Sequence, residues 1–336
     1  MGRLFFGFIG FCNYRMKIAV VGCGALGCFY GARLCQAGLD VHLLLRSDYE
    51  TVRDKGLRVR SAEGELRVHP HAHDAPEDIA QCDLVIVGLK TTANDRFAEL
   101  IAPLLGGGTA ILSLQNGLGN CERLADLFGP ERVMGGLCFV CLNRTAPGVV
   151  HHIAFGKIVL GELRRMPTKR THTIVEMFKD ANVPCEMSEN LEKSQWEKLV
   201  WNIPFNGLGV AGAAGLQALE AAGRNMPLKL VPVMPTDQLL GNPLWEEWVR
   251  GLMSEIIAVA NAKRLAVDAD LEKQMVNYTR DMCEYRASTL VDFEGGQPLE
   301  MESMFLEPLR QARATGVTVP RLEALCAVLE RLNSRR

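Results

Sequence analysis

Three polar residues stand at four-residue intervals in an otherwise apolar stretch of the chain: Lys198, Asn202 and Asn206. On a helix, residues four positions apart share one face, so one ammonium and two amides would project together. Buried polar groups must be hydrogen-bonded or they cost stability, and a polar ligand would satisfy these three. The alternative is that the amides cap local backbone while Lys198 extends to water.

A glycine-rich turn near the start of the chain lies in the order strand, turn, helix, strand. The apolar run Lys17–Val21 leads into Gly22-Cys-Gly24-Ala-Leu-Gly27, and a helical stretch separates this turn from a second apolar run, Asp40–Leu45. The first glycine permits a tight turn, the second lets the backbone approach a pyrophosphate, and the third lets the helix pack against the strand. A dinucleotide phosphate can then lie at the helix N-terminus. The predicted cofactor contacts are Gly22, Cys23, Gly24, Ala25, Leu26 and Gly27.

Arg46 and Ser47 follow the second apolar run, where an Asp or Glu would hydrogen-bond the ribose 2′-hydroxyl of NAD. A guanidinium suits a 2′-phosphate, so the sequence predicts NADP(H) as the cofactor. One charge-assisted hydrogen bond contributes about 1.5–3 kcal/mol, or about ten- to 150-fold in affinity. The alternative is a solvated arginine that merely follows a strand.

Two more polar residues follow predicted strands. Lys90 comes after the run Asp83–Gly88, and Asn116 comes after Thr109–Leu114. Ligands of open α/β sheets lie at the carboxyl ends of the strands, so we count both residues among the cofactor-binding candidates. Lys90 could reach a carboxylate or phosphate, and Asn116 could orient a nicotinamide ribose or a substrate oxygen. The alternatives are a lysine without function and an ordinary Asn-Gly turn.

The alternation of apolar runs and helical patterns predicts a parallel sheet covered on both faces by helices. A hairpin of Leu57–Arg60 with Leu66–His69 interrupts it. Closely spaced strands follow and are expected to extend the sheet in antiparallel fashion. They are Met134–Leu142, Gly148–Ala154 and Lys157–Gly161, before a last strand at Val183–Met187.

Beyond about Asn190 helical periodicity replaces the strand signals. The predicted fold class is therefore α/β, with a Rossmann-type dinucleotide-binding domain over residues 16–189 and a mostly α-helical domain over residues 190–336. The proline-rich segment Pro227–Pro243 is predicted to be an irregular excursion between helices. Residues 1–15 are predicted to be a loose extension, because their apolar part is too short to span a bilayer and no small-residue cleavage site follows it.

Composition excludes several classes of partner. The net charge is −2 without a dense Lys/Arg block, so we expect no nucleic-acid partner, and we expect no membrane partner either. The eleven cysteines are scattered and often lie in apolar runs, which is typical of reduced core residues in a cytoplasmic protein. An apolar helical domain is compatible with a homodimer, although a buried core would give the same pattern.

Two patterns typical of metal sites are interpreted as structural. Cys138-Phe-Val-Cys141 has C-x-x-C spacing, but it lies in a strand-like run and no second pair follows it at ligand spacing. His69-Pro-His71-Ala-His73 could present three imidazoles on one strand face. We assign that cluster to the extra hairpin, far from the other polar strand ends, and we predict no metal.

Taken together, five stretches of the chain resemble the ketopantoate reductase (2-dehydropantoate 2-reductase) family over Met16 to about Arg331. They are the Gly22–Gly27 loop with Arg46, Gly88-Leu-Lys90, Gln115-Asn-Gly117, Trp196-Glu-Lys198 with Asn202 and Asn206, and Ser288-Thr-Leu-Val-Asp292 with Glu300-Met-Glu302. The resemblance implies that NADPH gives a hydride and that Lys198 is the general acid. It further implies that Glu300 binds substrate and that Asn202, Asn206 and Ser288 line the site.

The implied reaction is the reduction of a small branched 2-oxo acid, with 2-dehydropantoate as the specific expectation. Hydride transfer to the carbonyl leaves an alkoxide, which needs a proton donor and positive charge within hydrogen-bond reach. Lys198 would supply both, and its unperturbed pKa near 10.4 could be lowered by burial, with Glu300 opposing that shift if close. Histidine, another common acid, is absent after His172.

Two other functions stay open: a related enzyme that reduces another small keto acid or oxidises a hydroxy acid, and a nucleotide-binding sensor without turnover. The sequence departs from the family pattern in ways that concern the substrate more than the cofactor. The departures are Met301, Glu302, Met304 and Leu306 in place of Ile, Asp, Ile and Gly, Gly207 in place of proline, and an apparent insertion at Pro227–Pro243.

Overall fold

A computed structural model describes residues 15–62, 64–221, 231–282 and 284–335. The chain divides into two compact units. The first unit holds the residues up to Leu89 together with Arg96–Gln115 and Leu124–Glu189. The second unit holds Lys90–Asp95, Asn116–Arg123 and the chain from Asn190 onward. Two short segments from the amino-terminal half therefore belong to the second unit.

The first unit is built on a single sheet. Its strands in the described residues are β1 (Lys17–Val21), β2 (Asp40–Leu44), β3 (Leu57–Ser61), β4 (Gly64–Val68), β5 (His71–His73), β6 (Cys82–Val87), β7 (Leu105–Ser113), β8 (Val133–Ala146), β9 (Val149–Glu162) and β10 (Cys185–Met187). Its helices are α1 (Ala25–Gln36), α2 (Tyr49–Lys55), α3 (Phe97–Ile101), the end of α4 (Asn120–Phe128), and α5 (Lys169–Asp180).

Hydrogen-bonded neighbours in the sheet follow the order β4-β3-β9-β8-β7-β6-β1-β2-β5, and β10 pairs with β9. The run from β8 to β5 is parallel, whereas β3 with β4 and β8 with β9 are antiparallel. The inner strand β1 is apolar throughout its buried part because both faces of a parallel sheet are covered. This sheet, followed by a helical unit, confirms the predicted α/β fold class.

Two strand predictions are wrong in detail. Gly148–Ala154 and Lys157–Gly161 form the single strand β9, which a register shift beside Phe155 interrupts without ending it. The second error concerns the histidines: His71–His73 is the separate strand β5, which pairs in parallel with β2 and is not part of the hairpin. In both cases long-range pairing decided the strand limits, and local turn signals do not report it.

The second unit is helical and has its own apolar core. Its helices are α6 (Leu191–Ala211), α7 (Leu216–Glu220), α8 (Thr236–Gly241), α9 (Pro243–Ala262), α10 (Leu271–Asp281), α11 (Ser288–Glu294), α12 (Glu307–Thr315) and α13 (Pro320–Asn333). A π-helical turn, Glu302–Leu306, leads directly into α12. Helix α6 is central, because α9, α11 and α13 all pack against it. In the described part of the chain, no helix combines the length and hydropathy that crossing a bilayer requires.

Local capping explains where α6 begins. Asn190 precedes the helix, and its Oδ1 accepts a hydrogen bond of 3.0 Å from the backbone N–H of Lys193, which satisfies one of the unpaired donors of the first turn. Pro204 lies inside the helix without ending it. Of the predicted excursion at Pro227–Pro243, the described part contains the short helix α8, and residues 227–230 lie outside the described residues, as do residues 1–14.

Glu162 is the last residue of β9 and is a buried acid. Its fully buried carboxylate, at the end of β9, accepts hydrogen bonds from Arg165, Arg170, Thr168 and Thr171. Burial alone would raise the pKa of Glu162, but these four side chains outweigh it and lower the pKa to about 2. The folded pKa is therefore below the unfolded one, so the stabilisation exists above about pH 4.5 and is lost as the pH falls towards 2.

We expect Glu162→Gln to lower the free energy of unfolding by about 3 kcal/mol at pH 7, because the partners keep their charge and lose the carboxylate. Urea unfolding of the variant and the parent between pH 7 and pH 3 measures this difference, which should shrink as the pH falls. The control is Glu186→Gln, whose exposed pair with Lys157 at 3.0 Å should contribute less than about 1 kcal/mol. A Glu162 difference that stays constant over this pH range would contradict the assignment.

Candidate functional site

The glycine turn after β1 leaves no room for side chains at two positions. Gly22 has a φ of +95°, and a Cβ there would lie 2.2 Å from the backbone nitrogen of Leu89. At Gly27 a Cβ would lie 2.4 Å from the carbonyl oxygen of Gly22. The turn is thus held against the end of β6 on one side and against the start of α1 on the other.

Gly24 differs from these two, because a Cβ built there meets nothing within 4 Å. It precedes α1, no side chain caps the helix, and the first turn carries no acidic residue. The first backbone N–H groups of a helix lack intrahelical partners, so an uncapped, open N-terminus suits an anion. These residues fit a dinucleotide pyrophosphate, and Ala25 and Leu26 pack beneath it against the sheet core.

Cys23 lies in this turn as a thiol. Its Sγ donates to the carbonyl of Val20 at 3.3 Å, and the Sγ of Cys28 donates to the carbonyl of Cys23 at 3.2 Å. The hydrogen bond with Cys28 and burial raise the pKa of Cys23 well above its ordinary value. Cys23 therefore supports the turn by packing and hydrogen bonding, and it is not an activated nucleophile.

Arg46 and Ser47 are exposed directly after β2, and the next residue, Asp48, is buried. Both carboxylate oxygens of Asp48 are engaged: Oδ1 by Arg144 at 2.8 Å and by the Ser47 hydroxyl at 3.0 Å, and Oδ2 by the backbone N–H of Gly148 at 3.0 Å. Arg144 also donates to the Ser47 hydroxyl at 3.3 Å. A second guanidinium from the middle of the chain thus lies beside the Arg46–Ser47 pair.

Lys90 holds two carboxylates in the second unit. Its Nζ lies 2.6 Å from Asp292 Oδ2 and 3.5 Å from Glu300 Oε2. Glu300 Oε1 also accepts a hydrogen bond of 2.7 Å from the backbone N–H of Thr91. The side chains of Asp292 and Glu300 are mostly buried, whereas about half of the Lys90 side chain is exposed.

The charges around Lys90 make it a firmly protonated cation. Burial alone would lower the pKa of Lys90, but the carboxylates of Glu300 and Asp292 outweigh burial and raise it. An ammonium has three N–H donors, so one donor remains beyond these two carboxylates. Lys90 can therefore contact a further anionic or polar group while it positions Glu300.

Lys198 lies on α6 and donates from Nζ to the side-chain oxygen of Asn116 at 2.9 Å. Asn116 belongs to the same unit as Lys198. Unlike the contacts of Lys90, this contact is with a neutral amide. The carboxylate of Glu300, which the sequence led us to expect near the site, raises the pKa of Lys90 against the effect of burial.

Asn120 ties together the segments that carry these residues. Its Oδ1 accepts from the Asn94 amide at 2.7 Å and from the Ser303 hydroxyl at 2.9 Å, and its Nδ2 donates to the carbonyl of Asn116 at 2.9 Å. Asn94 follows Lys90 by four residues, and Ser303 follows Glu300 by three. The buried amide of Asn120 thus joins the segments of Lys90, Asn116 and Glu300.

Asn202 and Asn206 are buried on α6, as the four-residue spacing predicts, and Ser288 begins α11 with an exposed side chain. Asn206 Oδ1 accepts from the backbone N–H of Thr289 at 3.0 Å and from the Ser288 hydroxyl at 3.4 Å. The Asn206 amide therefore accepts from the backbone at the start of α11, 83 positions along the chain, which is a long-range contact and differs from the local capping that was the alternative interpretation from the sequence. The same contact brings Ser288 to the polar face of α6.

Sequence reasoning missed several residues of this region. Asp292 was noticed only within a motif, and its ion pair with Lys90 was not expected. Asn94, Asn120 and Ser303 carried no signal because they are ordinary polar residues far apart in sequence. The Asn-Gly turn gave a partial signal: Gly117 has a φ of +83°, and a Cβ there would lie 2.3 Å from the carbonyl oxygen of Ser303.

Comparison with known families gives two matches along the chain. The model described as "Ketopantoate reductase PanE/ApbA" matches residues 18–165, and the model described as "Ketopantoate reductase PanE/ApbA C terminal" matches residues 225–333. A protein of Nostoc sp. named 2-dehydropantoate 2-reductase is 36% identical over 325 residues, which cover 95% of this chain and 96% of that protein.

Comparison with solved structures gives matches to proteins of the same name. The crystal structure of 2-dehydropantoate 2-reductase from Geobacter metallireducens GS-15 is 44% identical and superimposes with a TM-score of 0.84, covering 94% of this chain and 99% of that one. A D-mandelate dehydrogenase solved with NADH and anilino(oxo)acetate is 18% identical with a TM-score of 0.80, covering 95% and 99%. The latter likeness shows the fold alone.

The close approach of Gly117 to Ser303 yields a test. We expect Gly117→Ala to destabilise the protein by the cost of a left-handed backbone, about 1–2 kcal/mol, plus about 1–3 kcal/mol for the overpacked contact. The control is Gly316→Ala in the same unit, where φ is +75° and nothing lies within 4 Å of the added Cβ. Urea unfolding of both variants measures the difference, and equal losses would show that the contact with Ser303 contributes nothing.

Proposed function

Because the chain belongs to the ketopantoate reductase family, we propose that it reduces 2-dehydropantoate to pantoate with NADPH. Two relatives that bear the name of this activity cover at least nine-tenths of the chain at 36% and 44% identity. The observation that carries the proposal is the contact of Lys198 with Asn116, beside a network that also holds Glu300. It provides a proton donor and a carboxylate in one helical unit.

Lys198 acts as the general acid. A nicotinamide cofactor would supply the hydride when bound, and the carbonyl oxygen of the substrate would then take up negative charge. The Lys198 ammonium stabilises that charge and gives up a proton to it. Its hydrogen bond of 2.9 Å to the side-chain oxygen of Asn116 holds the ammonium in place.

Lys90 is poorly suited to act as the acid. Its carboxylate partners Asp292 and Glu300 raise its pKa, with burial acting in the opposite direction, so removal of its proton is opposed. We assign Lys90 to positioning Glu300, with its remaining donor available to the cofactor or substrate. Asn116, which we counted as a cofactor contact, positions Lys198 in this proposal.

Glu300 accepts a hydrogen bond from a substrate hydroxyl. A carboxylate has about four lone-pair sites, and Thr91 and Lys90 occupy only part of them. A carboxylate favours a neutral hydroxyl over a carboxylate group of the substrate, because like charges repel. 2-Dehydropantoate carries such a hydroxyl. The side-chain amides of Asn202 and Asn206 supply N–H donors for the acid group, and Ser288, whose hydroxyl donates to Asn206, lines the site beside them.

The 2′-phosphate of NADPH is recognised by Arg46 and Ser47. NAD binding at this place would require a carboxylate that accepts from the ribose hydroxyls, and Asp48 is the first acid after β2. Asp48 is buried and already accepts from Arg144, Ser47 and Gly148. It is therefore not available to the ribose, and an exposed guanidinium is what the strand end offers.

A related small 2-oxo acid is the second candidate substrate. The observation in its favour is the packing of the residues next to Glu300. Met301 and Met304 are buried in the core of the second unit. Gly207 is closely covered, since a Cβ there would lie 2.6 Å from Leu325 and 3.0 Å from Phe305. These are positions where the sequence departs from the family pattern, and Met301 and Gly207 directly follow Glu300 and Asn206 in the sequence.

The function is tested by NADPH oxidation with 2-dehydropantoate and with Lys198→Ala. We expect the parent protein to turn over this substrate and the variant to lose about 10²- to 10⁴-fold in kcat, because a general acid contributes about that much. NADPH binding, followed by cofactor fluorescence, should persist. Lys193→Ala on the same helix, whose pair with Glu197 is largely solvated, should retain full activity.

Unchanged kcat in Lys198→Ala would refute the acid assignment. A substrate series separates the two candidate substrates: 3,3-dimethyl-2-oxobutanoate differs from 2-dehydropantoate only in lacking the hydroxyl, so kcat/KM should fall about ten- to 150-fold relative to 2-dehydropantoate. Equal turnover of the two oxo acids would mean that Glu300 does not bind the substrate hydroxyl. Turnover of another oxo acid without turnover of 2-dehydropantoate would favour the second candidate.

Cofactor preference is tested with Arg46→Ala. Because the guanidinium contacts only the 2′-phosphate in this proposal, we expect KM to rise about tenfold or more for NADPH and to change little for NADH. Arg60→Ala, another exposed arginine of the first unit, controls for the loss of positive charge. Parallel changes for NADPH and NADH would exclude the 2′-phosphate role.

A further inference from the structure

Three side chains with metal-ligand atoms lie together on one face of the sheet of the first unit. Asp40 and His42 are two residues apart on β2 and therefore point to the same face. His71 on β5 is in register with His42. The ligand atoms of these three residues all lie within 4.8 Å of one another.

We propose that Asp40, His42 and His71 bind a divalent metal ion of the zinc class, with water in the fourth position. His42 Nε2 lies 3.0 Å from Asp40 Oδ1, and His71 Nε2 lies 3.4 Å from the same oxygen. Nitrogen and oxygen ligands about 2.0–2.1 Å from a tetrahedral zinc ion are about 3.3 Å apart. Both pairs that include Asp40 are therefore close to the spacing that zinc requires, and the ligand atoms of His42 and His71 lie within 4.8 Å of each other.

His73 orients the central ligand. Its Nε2 lies 2.9 Å from Nδ1 of His42, which is the nitrogen that does not face Asp40. Metal-binding histidines usually donate their other N–H to an acceptor, and this fixes the ring and increases its basicity. The rings of His71 and His73 both stack on that of His42, with centroids at 4.6 and 5.1 Å.

The histidine pair can adopt the tautomers that binding requires. Without metal, His42 can donate from Nε2 to Asp40 and accept from His73 at Nδ1. With metal, the Nε2 lone pair of His42 faces the ion, and its Nδ1–H donates to Nε2 of His73. Either arrangement satisfies the nitrogens that face each other, because each neutral imidazole has one donor and one acceptor.

The surroundings of the three ligands leave the metal ion a path of entry but also place a positive charge nearby. His71 and Asp40 are more than half exposed, which gives the ion and its water an entry path. Lys17, on the adjacent β1, is paired in register with Asp40 and adds a nearby positive charge. We therefore expect micromolar and not nanomolar affinity.

This group is separate from the proposed dinucleotide site. Asp40 is the first residue of β2, and Arg46 follows it by six positions, which corresponds to about 20 Å along an extended strand. Metal binding would instead join β2 to β5, an edge strand of three residues. Its effect would be on the stability of the sheet edge and not on hydride transfer.

The test uses the full chain without a polyhistidine tag, stripped of metal by a chelator and titrated with Co²⁺ and then Zn²⁺. We expect one Co²⁺ per chain at micromolar concentration, with the visible absorption of four-coordinate nitrogen and oxygen ligation, and displacement by Zn²⁺. Zinc at a hundredfold excess over its dissociation constant should raise the thermal midpoint by about 5 °C.

Single substitutions then identify the ligands. His71→Ala and Asp40→Asn change exposed side chains, so they should fold normally and lose at least about tenfold in Co²⁺ affinity. His73→Phe removes only the orienting contact and should lose about 10- to 100-fold. His69→Ala, in the same segment but outside the ligand group, should bind as the parent does.

Binding that needs millimolar Co²⁺, that persists unchanged in His71→Ala and Asp40→Asn, or that shows the charge-transfer absorption of thiolate ligands would overturn the proposal. The last outcome would assign the metal to cysteines. Loss of binding in His69→Ala alone would overturn it too, because that residue is not among the three ligands.

Discussion

The candidate site depends on the hydrogen bonds of one buried side chain, that of Asn120. Its oxygen accepts from Asn94 and Ser303, and its amide donates to the backbone of Asn116. An amide is suited to this position because it combines donor and acceptor in one buried group. A carboxylate would lack the donor, and an apolar side chain would leave the buried amide of Asn94 and hydroxyl of Ser303 without this partner. Three distant segments therefore meet at one residue.

With these segments fixed, two lysines acquire different properties in one unit. Lys90 lies between Asp292 and Glu300, which stabilise its charge, while Lys198 donates to the neutral amide of Asn116. Burial alone would lower the pKa of Lys90, but the carboxylates of Glu300 and Asp292 raise it. Residue type alone does not report such a shift, because the shift depends on the charges that the fold brings to the side chain.

Much of the fold could be predicted because its signals are local. The glycine turn, the apolar inner strands and the four-residue spacing on α6 each follow from period and backbone sterics. The limits of β9 and the pairing of β5 could not be predicted, since both depend on strands far along the chain. The ion pair of Lys90 with Asp292 joins residues 202 positions apart, and no pattern in the sequence expresses such a contact.

Strand β2 shows how one element can serve two unrelated chemistries. Its carboxyl end leads to Arg46, where an exposed guanidinium suits an anion, whereas Asp40 at its amino end faces two histidines and suits a cation. Parallel strands alternate their side chains with a period of two, so Asp40 and His42 share a face while Val41 and Leu43 enter the core. A three-residue edge strand has few ladder hydrogen bonds to hold it. Side-chain contacts across β2 and β5 therefore matter more at this edge than within the sheet.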